Sequence, residues 1–165
     1  MNIIIIIFLS IVQGITEWLP ISSSGHLVLF EHLLKFSESS LSFDVFLHLA
    51  SLVVIVLFFK AEIKEILVLG FKKKSKDPRH DWFWLMVLSS IVTAVFGLIF
   101  YQSIEFFRTI DAVSGWLMVT SILLLATKFT KGHKSIRWPH AIALGMAQGF
   151  AVLPGLSRSG AVIAI

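Results

Sequence analysis

Two short polar segments interrupt an otherwise apolar chain, and the side chains best suited to chemistry lie in them. The first holds Gln13, Glu17, Ser22, Ser23, Ser24, Gly25 and His26. An acid within a membrane costs about 3 kcal/mol on insertion scales, so Glu17, flanked by Thr16 and Trp18, is by default a functional candidate. The plainer alternative is a protonated or paired carboxyl that only locks helices together. Gln13 lies four residues earlier on the same helix face, where the pair could share a metal, a water or a proton. Ser22 to Gly25 follow Pro20 and lead into a helix starting near His26. Hydroxyls and open backbone N–H groups at such a start seat an anion, and the same serines serve as ordinary helix caps. His26 can act as acid, base or nucleophile near neutral pH. Ser23 is the rival nucleophile, with His26 as its activator.

The second segment holds Gly155, Ser157, Arg158, Ser159 and Gly160. Arg158 is the basic residue of an apolar stretch that starts after Trp138, and a guanidinium there needs an anionic partner. It is built to bind phosphate bidentately, with hydroxyls on either side. An ion pair with Glu17 is the structural alternative, and it would mark the same cavity. Ser22, Ser24, Gly25, Gly155, Ser157 and Ser159 are therefore candidate substrate-binding positions. Glu17, Ser23, His26 and Arg158 are candidate catalytic ones, and Glu17 with Gln13 is the candidate metal pair.

The elements that must position these residues are membrane helices. Of 165 residues, 56% are hydrophobic and only 15% charged. Soluble domains carry roughly 25% charge, and the mean hydropathy of +0.88 implies that lipid is the solvent for much of the surface. The absence of Cys excludes disulfides and thiolate chemistry. The opening MNIIIIIFLS lacks the basic flank and cleavage site of a secretion signal and reads as part of the mature protein. A span needs about 20 mostly apolar residues, and 43–59, 82–101 and 110–127 qualify. Trp82, Trp84 and Tyr101 mark the ends of the second as an aromatic belt. Residues 60–81 and 128–138 read as charged loops holding 11 of the 14 basic groups, which places both in the cytoplasm. The KKKSK run at 72–76 is then a solvated loop and calls for no nucleic acid. His32, His48, His80, His133 and His140, with Glu31, are expected to have no role beyond packing or solvent contact.

Residues 3–34 and 139–165 are apolar but broken, and each reads as a helix, a break and a returning helix. Backbone that leaves a helix at membrane depth must be buried in protein or line a wet cavity. The two regions resemble each other. Gln13-Gly14 and Gln148-Gly149 match at an offset of 135, as do Ser22-x-Ser24-Gly25 and Ser157-x-Ser159-Gly160. Three spans separate the copies, so the second enters from the opposite face. The expectation is one all-α membrane domain, 1–165, made of transmembrane helices and re-entrant hairpins in an inverted-topology repeat. The first repeat is 1–127 and the second, incomplete, begins at 139–165.

At this point the chain resembles a known family. QGITEWLPISSSGH at 13–26 and LPGLSRSGA at 153–161 are similar to the two signatures of the bacterial undecaprenyl-diphosphatases, or bacitracin-resistance proteins. The resemblance implies hydrolysis of undecaprenyl diphosphate to the monophosphate carrier of peptidoglycan synthesis, a polyprenyl diphosphate lipid as partner, and a divalent cation, Mg2+ or Ca2+. It implies a multi-pass protein of the bacterial cytoplasmic (inner) membrane with its site on the outer side. It places the family's acidic pair on Gln13 and Glu17, its catalytic His on His26, a proposed serine on Ser23, and its phosphate-binding pair on Ser157 and Arg158. Val162 stands where members often carry a Thr, which removes one hydroxyl. Members also continue past the position of Ile165 with further spans, so the chain reads as a truncated frame or a fragment. A lipid-phosphate transporter or flippase and an inactive fragment stay open as alternatives. So do His26, Ser23 or water as nucleophile, and a second copy of the chain as partner.

Overall fold

The computed structural model describes residues 2–36, 41–72, 78–129 and 136–165. Lys73, Lys74, Lys76, Lys131, His133 and Lys134 lie outside the described residues, as does the side chain of Arg79. The described residues are helical, with no strand among them. Helix α1 spans Ile3–Thr16, α2 Ser23–Leu33, α3 Leu41–Phe58, α4 Lys60–Gly70, α5 Pro78–Phe100, α6 Ile110–Thr127, α7 Trp138–Phe150 and α8 Arg158–Ala164.

Helices α3, α5 and α6 are long and apolar enough to cross a membrane, as the sequence predicts. Each buries only 11% of its most apolar stretch within the protein, so most of that surface is left for lipid. The five consecutive isoleucines of α1 would favour a strand by propensity. They form a helix because only a helix satisfies its own backbone where water is absent. The Asn2 side chain starts it by accepting the Ile4 N–H at 3.2 Å.

Helices α1 and α2 fold back on each other around Leu9 and Leu27, both fully buried, with Phe36 and Leu47 completing the cluster. Phe8 and Phe30 meet edge to face at 5.2 Å. Helix α7 packs on α5 through Gly145 and Gly149, a small-xxx-small pair that brings backbones together. A Cβ on Gly145 would lie 2.7 Å from the Ser89 carbonyl oxygen, and one on Gly149 would lie 2.3 Å from Phe96 Cβ. Thr93 Oγ1 ties the two helices by donating to the Gly145 carbonyl at 3.1 Å.

One connection differs from the sequence expectation. Residues 60–70 are not loop but the helix α4. Ile63, Ile66 and Leu69, three residues apart, form its half-buried face, and Gly70 seats against the Phe83 ring. The charges at Lys64 and Glu65 lie between those apolar positions, with Lys60 and Glu62 just before them, and hid the pattern. Residues 101–107 form two short 3-10 turns, and they lead to Arg108, whose side chain is buried.

Candidate active site

The two broken regions are built alike. After α1, Pro20 cannot continue a helix, and the chain turns through Glu17 to Ser22 before α2 begins. After α7 it turns through Ala151 to Ser157 before α8 begins. Ser22 Oγ accepts the Gly25 N–H at 3.3 Å, and Ser157 Oγ accepts the Gly160 N–H at 3.0 Å. Ser22 and Ser24 hydroxyls lie 3.3 Å apart, and those of Ser157 and Ser159 lie 3.2 Å apart. The equal offset in sequence thus corresponds to matching serine cap bonds, although the backbones differ: Ser22 has φ 67 and Ser157 φ −76.

The tips touch each other. A Cβ on Gly25 would lie 2.8 Å from Gly155 Cα, so the two glycines let the backbones meet. Gly155 has φ +98, which side chains rarely tolerate, and a Cβ there would lie 2.6 Å from the Val113 carbonyl oxygen. Ser159 Oγ donates to the Leu19 carbonyl at 3.4 Å. Thr120, buried in α6, fixes the second break from the side. Its Oγ1 donates to the Gly155 carbonyl at 2.9 Å and accepts the Ser157 N–H at 3.0 Å. Two backbone groups that leave a helix are thereby satisfied.

A cavity of about 590 Å³ opens where the tips meet. Glu17, Ser22, Ser23 and Ser24 line it from the first break, and Ser157, Arg158, Ser159 and Val162 from the second. Val45, Leu49, Leu52 and Ile55 of α3 supply an apolar wall. Glu17 Oε2 is the hub. It accepts from Ser23 Oγ at 2.5 Å and from Gln13 Nε2 at 3.0 Å. Gln13 is buried, and its Oε1 has no hydrogen-bond partner among the described residues. Arg158 also lines the cavity, and it makes no ion pair with Glu17 among the described residues. The arrangement joins a hydroxyl already hydrogen-bonded to a carboxylate with a guanidinium available to an anion. That is the equipment of phosphoryl transfer.

His26 is placed differently from the other sequence candidates. It does not line the cavity, and its Nδ1 lies 2.8 Å from the Ser22 carbonyl oxygen of its own helix start. His48, expected only to pack, lies in the cluster: its Nε2 is 3.5 Å from Glu17 Oε2 and 3.4 Å from Ser23 Oγ. Arg108 and Asp44 also line the cavity. Arg108 is paired with Asp44, with Glu31 at 2.9 Å and with Glu105 at 3.6 Å. Glu31 is therefore a buried ion-pair partner and not a solvent-facing acid. A His amid apolar residues was the one sequence signal for His48. Nothing in the chain order foretells that Arg108 reaches Asp44, 64 positions away.

A family model described as bacitracin resistance protein BacA matches residues 6–165. The chain belongs to the BacA family. Among curated relatives, an undecaprenyl-diphosphatase of Halothermothrix orenii is 37% identical over 169 residues, covering 99% of this chain and 62% of that protein. One of Desulforapulum autotrophicum is 39% identical over 176 residues, covering 96% of this chain and 64% of its own. One of Methanobrevibacter smithii is 37% identical over 182 residues, covering 99% and 65%. This BacA-family chain thus spans less than two thirds of the length of these relatives.

Proposed function

We propose that this BacA-family chain hydrolyses undecaprenyl diphosphate to undecaprenyl phosphate and phosphate. The activity recycles the lipid carrier of cell-wall synthesis and so confers bacitracin resistance. The observation that carries the reading is the Ser23–Glu17 contact of 2.5 Å in a cavity shared with Arg158. The diphosphate head sits between the two breaks, and the prenyl tail follows the apolar α3 wall into lipid. Ser23 Oγ attacks the terminal phosphorus and its proton passes to Glu17 Oε2. The bond from that phosphorus to the bridging oxygen breaks, and the prenyl monophosphate leaves. Water then hydrolyses the phosphoserine and releases phosphate. Arg158, with the Ser157 and Ser159 hydroxyls, holds the phosphate oxygens and offsets their growing charge.

Two hard oxygens line the cavity here, the Glu17 carboxylate and the Ser23 hydroxyl; Gln13 turns its Nε2 to Glu17, and its buried Oε1 is without a partner among the described residues. No group of three His, Asp or Glu that could hold a metal occurs among the described residues. This set suits a cation such as Mg2+, which binds through one or two carboxylates together with substrate phosphates and water. Glu17 and Gln13 would hold it, and when bound it would neutralise phosphate charge.

The basic residues after α3 and after α6 support a cytoplasmic position for those ends and, with it, a hairpin pair that opens to the outer side of the cytoplasmic membrane. Broken, repeated helices also suit a transporter that binds the head group without cleaving it. Incubation of the purified protein with undecaprenyl diphosphate separates the two. The phosphatase releases inorganic phosphate and leaves the monophosphate lipid. Retention of intact diphosphate lipid, bound but uncleaved, would refute the phosphatase.

A further inference from the structure

His48 faces the cavity from α3, yet the mechanism above gives it no step. Its ring is held at Nδ1 and reaches the first break with Nε2. Nδ1 lies 2.7 Å from the Asp44 carbonyl oxygen, one turn earlier on the same helix. A carbonyl can only accept, so Nδ1 carries a proton. Nε2 is thereby aimed at the first break, at 3.4 Å from Ser23 Oγ and 3.5 Å from Glu17 Oε2. The Ser23–Glu17 contact is much shorter, at 2.5 Å, so Glu17 and not His48 is the group that receives the Ser23 proton. With its proton on Nδ1, the ring presents Nε2 as an acceptor, so its hydrogen-bond partner in the break is the Ser23 hydroxyl, at the outer limit of hydrogen-bonding distance.

The first break needs such an outside support. Glu17 to Ser22 lie between helices, and Ser22 sits at φ 67, a conformation unfavourable for a side-chain-bearing residue. Helix α3 is, by contrast, a continuous helix of 18 residues. Its first turn is pinned where Arg108 grips Asp44 and Glu31 together. A chain of contacts therefore runs from Arg108 to Asp44, along one turn to His48, and on to Glu17 and Ser23.

We propose that His48 is a positioning residue for phosphoryl transfer, anchoring the Glu17–Ser23 pair to α3. The inference rests on the phosphatase reading above. Without Nε2 the Ser23 side chain gains freedom and spends less time in the geometry needed for attack.

The test compares His48→Gln with His48→Leu. The Gln amide can place an accepting oxygen near the position of Nε2 but cannot act as an imidazole base. With farnesyl diphosphate as probe, His48→Leu should lower kcat by about 10- to 100-fold, with KM within about threefold, as loss of an orienting residue does. His48→Gln should recover to within about fivefold of the parent chain. Equal losses in the two variants would overturn the proposal in favour of a base, and full activity of His48→Leu would overturn it in favour of bystander packing. A second readout does not depend on turnover. In protein labelled with 15N-histidine, Glu17→Gln should shift the His48 Nε2 resonance and leave His26 unmoved. An unmoved His48 would overturn the contact. If the parent chain releases no phosphate, the phosphatase reading falls, while the nitrogen shifts still decide the placement of His48.

Discussion

Replacing Thr120 with Val tests how the second motif is held. The two side chains have nearly the same shape, so the change removes a hydroxyl and little else. That hydroxyl serves two backbone groups, the Gly155 carbonyl at 2.9 Å and the Ser157 N–H at 3.0 Å. Thr120 is 3% exposed and Ser157 2%, so water does not readily replace it. Leaving a buried polar group unpaired costs about 1–3 kcal/mol. At tenfold per 1.4 kcal/mol, the Ser157 amide should exchange its hydrogen about 5- to 150-fold faster in the variant. Thr120→Ser keeps the hydroxyl and should stay within about threefold of the parent. Hydrogen–deuterium exchange by mass spectrometry on the peptide around Ser157 reads the effect directly. Unchanged protection in Thr120→Val, or equal loss in Thr120→Ser, would refute the clamp.

Three further outcomes follow from the geometry. Gly155→Ala should destabilise the protein by at least about 1–2 kcal/mol, since its left-handed backbone and the Val113 carbonyl both oppose a Cβ, as a lowered Tm in detergent would register. Arg108→Ala abandons two buried carboxylates, Glu31 and Asp44, and should cost about 3–5 kcal/mol in a denaturant titration, more than Arg108→Lys. Arg158→Ala and Glu17→Ala should each abolish phosphate release while membrane insertion, followed by carbonate extraction, stays normal. Near-parent turnover in either variant would remove the mechanism.

The long spans were legible because a membrane helix writes itself as an uninterrupted apolar run. The two breaks were legible because Pro20, Gly155 and the serines are what such backbone requires. Their likeness came from an equal offset, and the matching hydroxyl–amide bonds of Ser22 and Ser157 give that likeness a geometry. Helix α4 was hidden because its apolar residues recur every third position among charges that read as loop. His48, Thr120 and Arg108 were hidden for another reason. Their distant partners lie 25 to 77 positions away in the chain, and only packing brings them together. The Gly145 and Gly149 contacts follow the same rule: the spacing is visible, but the phenylalanine it admits, Phe96, is not.

The central claim is that Ser23, paired with Glu17 in the cavity that Arg158 also lines, takes up the terminal phosphate. Rapid acid quench after mixing the protein with prenyl diphosphate labelled on that phosphate reads it most directly. The account predicts label on the peptide carrying Ser23, absent in Ser23→Ala and strongly reduced in Glu17→Gln and Arg158→Ala. Undiminished phosphate release by Ser23→Ala, or label on His26 in place of Ser23, would contradict it.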